Sequence, residues 1–162
     1  MSSMLGLFRN RNETPRLRIL RQLPLFATLS RLESRVVDGL LHERKYPKGE
    51  IIFDEGEVGD ALHLVIAGRI SICRQGEPES GRIAEIESGA VFGELALLDD
   101  VPRAAQARAA EDCVLASLSR ADFEGLIDTH AVIASKIALQ LARQLGRQLR
   151  DRSPAAAERR PL

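Results

Sequence analysis

Between residues 43 and 119 the sequence repeats short apolar runs separated by turn-forming residues, and this rhythm limits the folds open to the chain. The runs recur roughly every 8–12 residues, a spacing typical of an antiparallel β-sandwich or barrel. Glycines punctuate them, and we expect Gly49, Gly56, Gly59 and Gly68 to supply turns with positive φ. The runs read EIIF, ALHLVIAG, RISICR, RIAEIE, AQARAA and CVLASLS.

Helical patterns precede this region. Apolar residues recur at helical spacing from Leu17, and the pattern stops at Pro24. Ser30, with Glu33 three residues later, forms a capping-box pattern that predicts the start of a further short helix. One or two short helices should therefore lie before the strands.

Helical patterns also follow the region of strands. Ser119, with Asp122 three residues later, predicts a helix start. A longer stripe then runs over residues 131–150, with apolar residues at steps of four. The whole pattern predicts a mainly β fold with flanking α: a β-roll over about residues 43–119 and two C-terminal helices over about residues 120–150.

The length of 162 residues suits one domain of ordinary size. Hydrophobic residues make up 44% of the chain and aromatic residues only 4%, so aliphatic side chains must fill the core. We predict a flexible lead at residues 1–16, one domain over residues 17–150, and a disordered tail at residues 151–162.

Charge is unevenly spread along the chain. The net charge is zero, but residues 1–25 carry five Arg against one Glu, and residues 143–162 carry six Arg against one Asp and one Glu, so each end is net +4. Basic ends could contact nucleic acid, an acidic membrane surface or an acidic partner, although solvated ends are the simpler explanation. Since no aromatic residue lies between the arginines, a surface for single-stranded nucleic acid is not expected.

The sequence also argues against a membrane span, a metal site and an enzyme. No apolar run approaches the roughly 20 residues that a span needs, and the N-terminus is a poor secretory signal, so a cytoplasmic location is expected. Cys73 and Cys113 match no metal spacing and are expected to be buried thiols in a reducing compartment. His42, His63 and His130 form no cluster, and no nucleophile has a partnered base.

Residues 92–109, FGELALLDDVPRAAQARA, combine a carboxylate, a guanidinium and small residues in a way that a core segment would not need. Gly93 allows close backbone approach, and the segment after it can form a short helix whose free N–H groups attract anions. Arg103 presents a planar fork suited to phosphate, and Glu94 can accept from hydroxyls, a pairing that describes a ribose phosphate. A direct salt bridge between the two explains the same residues, and both interpretations stay open.

This segment resembles the phosphate-binding cassette of cyclic nucleotide-binding domains, such as those of the regulatory subunits of cAMP-dependent protein kinase and of the catabolite activator protein. The resemblance covers about residues 22–145. LPLFATLSRLE is similar to the helix that opens the family's domain, YPKGEIIFDEGEVGDALHLVIAGRISI to its first strands, and EDCVLASLSRADFEGLI to the strand and helix after the cassette. The resemblance implies that the β-roll is a jelly roll, or double-stranded β-helix.

The resemblance also implies roles for the cassette residues. Glu94 is expected to accept from the ribose 2′-OH, and Arg103 to pair with the cyclic phosphate. Backbone N–H groups, those of Gly93, Ala96, Ala104 and Ala105, are expected to line the sugar and the phosphate. The full predicted ligand-binding set is Phe92, Gly93, Glu94, Leu95, Ala96, Arg103, Ala104 and Ala105.

Fewer residues bear on the base of the ligand. In the family, a Thr or Ser directly after the cassette arginine is associated with cGMP, because its hydroxyl can bond to the guanine amino group. This chain has Ala104 there, which favours cAMP over cGMP. Ile70 and Cys73, in a predicted strand, are candidates to flank the base.

The implied function is a non-enzymatic regulatory module that binds a cyclic nucleotide and relays binding, through movement of its C-terminal helices, to an effector protein. No DNA-binding domain is expected after the last helix. The 131–150 helix could pack on its own β-roll or on a second copy as a homodimer. Alternatives are a structural or interaction domain without a physiological cAMP response, a binder of cGMP or cyclic dinucleotides, and a DNA-associated regulator that acts through the basic ends.

Overall fold

The computed structural model describes residues 13–74, 76–77 and 81–152, and this part of the chain contains four α-helices and eight strands. The helices are α1 (Pro15–Gln22), α2 (Arg31–Asp38), α3 (Arg120–Thr129) and α4 (Ala131–Arg152). The strands are β1 (His42–Tyr46), β2 (Ile51–Phe53), β3 (Ala61–Ala67), β4 (Arg69–Cys73), β5 (Arg82–Glu87), β6 (Val91–Phe92), β7 (Gln106–Ala109) and β8 (Cys113–Ser119). Short 3-10 helices lie at Pro24–Phe26 and at Glu94–Leu97, and the second is called the cassette helix below.

The strands form two four-stranded antiparallel sheets. Their orders are β1-β8-β3-β6 and β2-β7-β4-β5. Most neighbours in a sheet are distant in sequence, such as β1 and β8, which is the arrangement of a jelly roll. The predicted fold, a β-roll with short helices before it and two helices after it, is confirmed.

Local capping signals fix the starts of the helices. The predicted capping box of α2 is present: Glu33 N donates to Ser30 Oγ over 3.2 Å, and Ser30 N donates to Glu33 Oε1 over 2.9 Å. Lys136 Nζ of α4 also donates to Glu33 Oε1 over 2.8 Å, and this ammonium, with the Ser30 N–H, lowers the pKa of the Glu33 carboxyl to about 2. Helix α3 begins as predicted, since Asp122 N donates to Ser119 Oγ over 3.0 Å.

Two predicted domain boundaries fall inside helices. Helix α1 begins at Pro15, whose fixed φ suits a first helical position, and Thr14 caps it by accepting from Leu17 N over 3.1 Å. The predicted lead therefore extends too far, because residues 15 and 16 are helical. Helix α4 likewise continues through Arg152, past the predicted boundary at residue 150. Residues 1–12 of the predicted lead and 153–162 of the predicted tail lie outside the described residues.

Two apolar clusters hold these elements together. The larger joins the helices to the first sheet, with Ile137 and Leu141 of α4 packed among residues such as Leu62 of β3. The smaller lies between the two sheets and includes Ile70 and Leu115. Helix α4 thus packs on its own domain, which is one of the two arrangements predicted for it. Within the described ranges no helix is both long and apolar enough to cross a membrane.

The punctuating glycines do not all serve the predicted purpose. Gly49, Gly56 and Gly68 adopt positive φ values of 89°, 86° and 87°, as expected. Gly59 is absent from the glycines with positive φ, so the prediction for it is wrong. It is buried instead, at a place where another part of the chain comes close.

Candidate functional site

A cavity of about 320 Å³ lies between the cassette helix, the loop that follows it and the C-terminal part of α4. Its volume is at the lower end of the roughly 300–1,000 Å³ found for small-molecule sites. All the predicted ligand-binding residues line it: Phe92, Gly93, Glu94, Leu95, Ala96, Arg103, Ala104 and Ala105. The other lining residues are Phe53, Ile72, Ile86, Val101, Pro102, Leu145 and Gln148.

The cassette helix begins with a turn that glycine alone adopts easily. Gly93 has φ 73° and ψ 22°, in the left-handed region. A methyl group on its Cα would also lie 2.5 Å from Arg103 Nη1. Two separate constraints therefore require glycine between the buried Phe92 and Glu94.

Arg103 is fixed by its main chain and by its side chain. Its N–H donates to Glu57 O over 2.7 Å, and its carbonyl accepts from Gly56 N over 2.8 Å. Its guanidinium donates from Nη2 to Ala61 O over 2.8 Å and from Nη1 to Gly93 O over 3.2 Å. The loop between β2 and β3 therefore determines where the guanidinium lies.

Gly59 and Phe53 enclose this guanidinium from two sides. A methyl group on Gly59 would lie 2.7 Å from Arg103 Cζ, so the close approach explains the glycine. Arg103 Cζ lies 4.2 Å from the centroid of the Phe53 ring, a cation–π distance. Arg103 Nε is buried and has no hydrogen-bond partner among the described residues.

Burial lowers the pKa of the Arg103 guanidinium, and the carboxylates of Asp60, Glu57 and Glu94 act in the opposite direction. A guanidinium stays protonated in proteins, so the cavity holds a fixed, partly desolvated positive charge. Such a charge with an unused donor suits a bound anion, because charge-assisted hydrogen bonds are strong where water is excluded.

Glu94 and Arg103 bind other groups in this structure and not each other. Glu94 Oε1 accepts from Gln144 Nε2 of α4 over 2.9 Å. The Arg103 guanidinium donates to main-chain carbonyls. The alternative prediction, a direct salt bridge that closes the loop, is not found among the ion pairs of the described chain.

The backbone N–H groups predicted to line a ligand differ in availability. Those of Ala104 and Ala105 donate to no described residue, and both residues line the cavity. That of Ala96 donates to Gly93 O over 3.2 Å. In this structure the Ala96 N–H closes the turn of the cassette helix, whereas the two alanines after Arg103 have free donors.

One wall of the cavity is apolar, and the prediction for it was wrong. Ile72 of β4 and Ile86 of β5 line the cavity. Ile70 and Cys73, the predicted base contacts, are fully buried and are not among the lining residues. Ile70 and Ile72 lie on the same face of β4, two residues apart, so simple alternation does not show which of them reaches the cavity.

Helix α4 brings to the cavity three residues that the sequence analysis missed. Leu145 and Gln148 line it, and Gln144 binds Glu94. The available signal was two glutamines four residues apart, directly after the buried apolar stripe of α4. Nothing in the sequence shows what that part of the helix faces.

Arg120, the first residue of α3, was also missed. Its Nη1 donates to the carbonyls of Gly59, Ala96 and Asp99 over 3.1, 3.0 and 2.9 Å. Its Nη2 forms an ion pair with Asp100. One side chain thus joins the cassette helix and the loop after it to the β2–β3 loop.

His63 has a structural environment next to the cavity. Its ring centroid lies 5.1 Å from that of Phe92 and 5.8 Å from that of Phe53, and Nδ1 lies 2.7 Å from Ser117 Oγ. Burial, assisted by the Arg103 cation, lowers the pKa of His63 to about 4. The imidazole is therefore neutral near pH 7. Within the described residues no three His, Cys, Asp or Glu side chains are grouped to hold a metal ion.

Comparison with known protein sequences identifies the family of the chain. Residues 43–130 match the family described as cyclic nucleotide-binding domain. The cyclic AMP receptor protein of Thermus thermophilus is 37% identical over 123 residues, which are 75% of this chain and 57% of that protein. The cAMP-dependent protein kinase regulatory subunit of Emericella nidulans is 38% identical over 108 residues, 67% of this chain and 26% of that protein. The chain therefore matches only part of each relative.

Solved structures share the fold. The N-terminal domain of a transcriptional regulator from Streptomyces coelicolor gives a TM-score of 0.73 at 27% identity, over 80% of this chain and 92% of that one. The catabolite activator protein of Thermus thermophilus gives a TM-score of 0.65 at 35% identity, over 78% of this chain and 60% of that one. The regulatory domain of Toxoplasma gondii PKA, crystallised with cAMP, gives a TM-score of 0.62 at 32% identity, over 68% of this chain and 42% of that one. Because the family match covers more than half of its residues, this chain belongs to the cyclic nucleotide-binding domain family.

Proposed function

We propose that the chain is a non-enzymatic regulatory module that binds cAMP in this cavity and passes the binding signal to a partner protein. One observation carries the proposal: the partly buried Arg103 guanidinium, set between Gly59 and Gly93, lines the same cavity as Glu94. A fixed cation and a carboxylate acceptor in one small cavity are what a phosphate next to a free hydroxyl requires. The unit that carries this function is proposed to be residues 17–150, together with the helix ends beyond them.

The phosphate is proposed to bind at Arg103. Its guanidinium supplies charge, and the free N–H groups of Ala104 and Ala105 supply further donors from the adjoining main chain. A monoanionic phosphate loses hydration on entering the cavity, so it needs both the charge and the hydrogen bonds. The small alanine side chains leave these donors accessible.

The ribose and the base are proposed to occupy the rest of the cavity. Glu94 supplies an acceptor for the 2′-OH, and Ile72, Ile86 and Leu145 supply apolar surface for the faces of a purine. Ala104 offers no hydroxyl to the amino group of guanine, which favours adenine. Relatives named for cyclic AMP and a neighbour crystallised with cAMP support the same choice.

The signal is proposed to leave the site through the C-terminal helices. Leu145 and Gln148 of α4 line the cavity, so an occupant of the cavity would touch α4 directly. Arg120 joins the cassette to the first turn of α3. A ligand that binds one arrangement of these helices more tightly than another shifts their populations, and a partner protein can detect that shift.

A thermal-stabilisation screen tests the proposal. Ligand-stripped protein is heated with cAMP, cGMP, cyclic dinucleotides or linear AMP, each at the same concentration. A ligand that binds only the native state raises the melting temperature, and we expect cAMP to give the largest rise. A largest rise with cGMP or a cyclic dinucleotide would replace the proposed ligand. Equal, negligible shifts with all four would support the alternative of an interaction domain without a cAMP response.

A specific observation keeps self-association as a second candidate role. The outer face of α4 exposes Val132, Leu139 and Leu149, with 64%, 51% and 72% of their surfaces accessible. These positions are spaced by seven and ten residues and fall on one seam of a heptad repeat. Sedimentation equilibrium tests for a homodimer, and Leu139→Glu should restore a monomer if this seam is the interface.

A further inference from the structure

We infer that Gln144 is a positioning residue that sets the ligand affinity of the site by holding the Glu94 carboxylate. The inference rests on the proposed function and adds to it a contact between α4 and the ribose site. It concerns a residue that does not itself line the cavity.

The hydrogen bond between Gln144 and Glu94 joins residues that are far apart in sequence. Gln144 Nε2 donates to Glu94 Oε1 over 2.9 Å, across 50 positions of the chain. No other described side chain or backbone group forms a hydrogen bond with the Glu94 carboxylate. Both residues are half-buried, so the bond is partly shielded from competing water. Without Gln144, the structure provides no other group to orient this carboxylate.

The bond leaves the carboxylate able to bind a hydroxyl. A carboxylate has two oxygens with about four acceptor sites, and Gln144 uses one of them on Oε1. Glu94 Oε2 therefore stays available to accept from a ribose 2′-OH. Because the carboxylate is already held in one orientation, less side-chain freedom is lost when the ligand binds.

The position of Gln144 depends on how α4 is seated. Leu141 and Ile137, one turn and two turns earlier on the helix, are fully buried in the core. Lys136 Nζ ties the first half of α4 to Glu33 over 2.8 Å. Gln144 follows Leu141 by one turn and therefore reaches Glu94 only while α4 lies against the domain.

The amide of Gln144 also differs chemically from a charged partner. A lysine or arginine at this position would add a second cation beside Arg103 and would partly neutralise Glu94. Gln144 donates a hydrogen bond and leaves both charges unchanged. The hydrogen bond therefore orients the Glu94 carboxylate without changing the charge offered to the phosphate or to the ribose hydroxyl.

A thermodynamic cycle between the protein and the ligand tests the inference. Calorimetry measures the Kd of cAMP and of its 2′-deoxy analogue for wild type and for Gln144→Ala. We expect Gln144→Ala to raise the Kd of cAMP about five- to tenfold, in line with the loss of a hydrogen bond to a charged group. We expect the same variant to raise the Kd of the 2′-deoxy analogue less than twofold, because that ligand has no hydroxyl to donate a hydrogen bond to Glu94.

Two further variants separate positioning from a general effect on the helix. Gln140→Ala removes the same amide one turn earlier on α4, where the side chain does not line the cavity, and should leave both affinities unchanged. Gln144→Glu places a carboxylate against Glu94 and should weaken cAMP more than Gln144→Ala does. Circular dichroism and melting temperature check that α4 remains folded in each variant.

The outcomes distinguish this inference from the proposed function. If wild type binds cAMP and Gln144→Ala weakens both ligands equally, Gln144 acts through the fold and the inference is overturned. Unchanged or tighter cAMP binding by Gln144→Ala overturns it as well, since Gln144 would then compete with the ligand. Failure of wild type to bind either nucleotide would overturn the proposed function and this inference together.

Discussion

A methyl group on Gly59 would lie 2.7 Å from both Cζ and Nε of Arg103, closer than non-bonded atoms approach. The atoms in the way belong to the far end of a flexible side chain and not to the backbone. A side chain at position 59 should therefore displace the guanidinium while leaving the fold in place. This relationship allows the position of the cation to be tested separately from its presence.

Gly59→Ala should lower cAMP affinity at least tenfold and lower the free energy of unfolding by no more than about 2 kcal/mol, the cost of the guanidinium bonds to Ala61 O and Gly93 O. Calorimetry and chemical denaturation measure the two effects. Gly125→Ala is the matched control, because a methyl group there meets nothing within 4 Å, and it should leave affinity unchanged. Wild-type affinity in Gly59→Ala would show that the guanidinium need not lie where the structure has it.

Arg120→Ala should loosen the cassette. The change removes donors to the carbonyls of Gly59, Ala96 and Asp99 and should destabilise the protein by about 2 kcal/mol. Hydrogen exchange should rise mainly in residues 93–100, and cAMP affinity should fall. Arg120→Lys, which keeps the charge but loses the fork, should have an intermediate effect. Unchanged exchange in this segment would contradict the role given to Arg120.

Ala104→Thr should shift the preference between bases towards guanine. A hydroxyl at this position of the cavity wall can accept from the guanine amino group, and adenine has no group there to donate. We expect the ratio of cGMP to cAMP affinity to rise about tenfold, the size of one hydrogen bond. Competition between the two nucleotides measures the ratio directly. Ala105→Thr serves as the control, and an equal shift in both variants would contradict the assignment.

His63 makes folding stability sensitive to acid. Its pKa is about 4 in the folded protein, against about 6.5 in an unfolded chain, so the unfolded state binds the proton first. The contribution is fully present above pH 6.5 and is lost progressively as pH falls towards 4. The loss should amount to about 3 kcal/mol. Denaturation curves between pH 7 and pH 4 should show this for wild type, and His63→Phe should show a smaller decline.

The parts of the fold that rest on local signals could be predicted from the sequence. The capping box pairs Ser30 with Glu33, three positions later, and the cap of α3 pairs Ser119 with Asp122 at the same spacing. Each helix start therefore depends only on residues that are close in sequence. The cassette could be predicted for the same reason, since its proposed ligand-binding residues all lie within residues 92–105 and line one cavity.

The rest of the site depends on contacts that cross the chain. Gln144 meets Glu94 only because the core seats α4 against the β-roll, and no pattern near either residue encodes that meeting. Ile70 and Ile72 lie two residues apart and therefore on the same face of β4, so alternation cannot show which of them reaches the cavity. The sequence predicts a turn at Gly59 because composition cannot distinguish a positive φ from a close approach.

Calorimetric titration of cAMP into ligand-stripped wild type and Arg103→Ala tests the central claim most directly. The account predicts saturable binding with one site per chain for wild type. It predicts an affinity at least about thirtyfold weaker for Arg103→Ala, because a partly buried anion would lose its paired charge. Circular dichroism and a cooperative melting transition without ligand would show that the variant is folded, although the lost bonds to Ala61 O and Gly93 O should lower its melting temperature. Absence of heat with wild type, or equal affinity in the two proteins, would contradict the account.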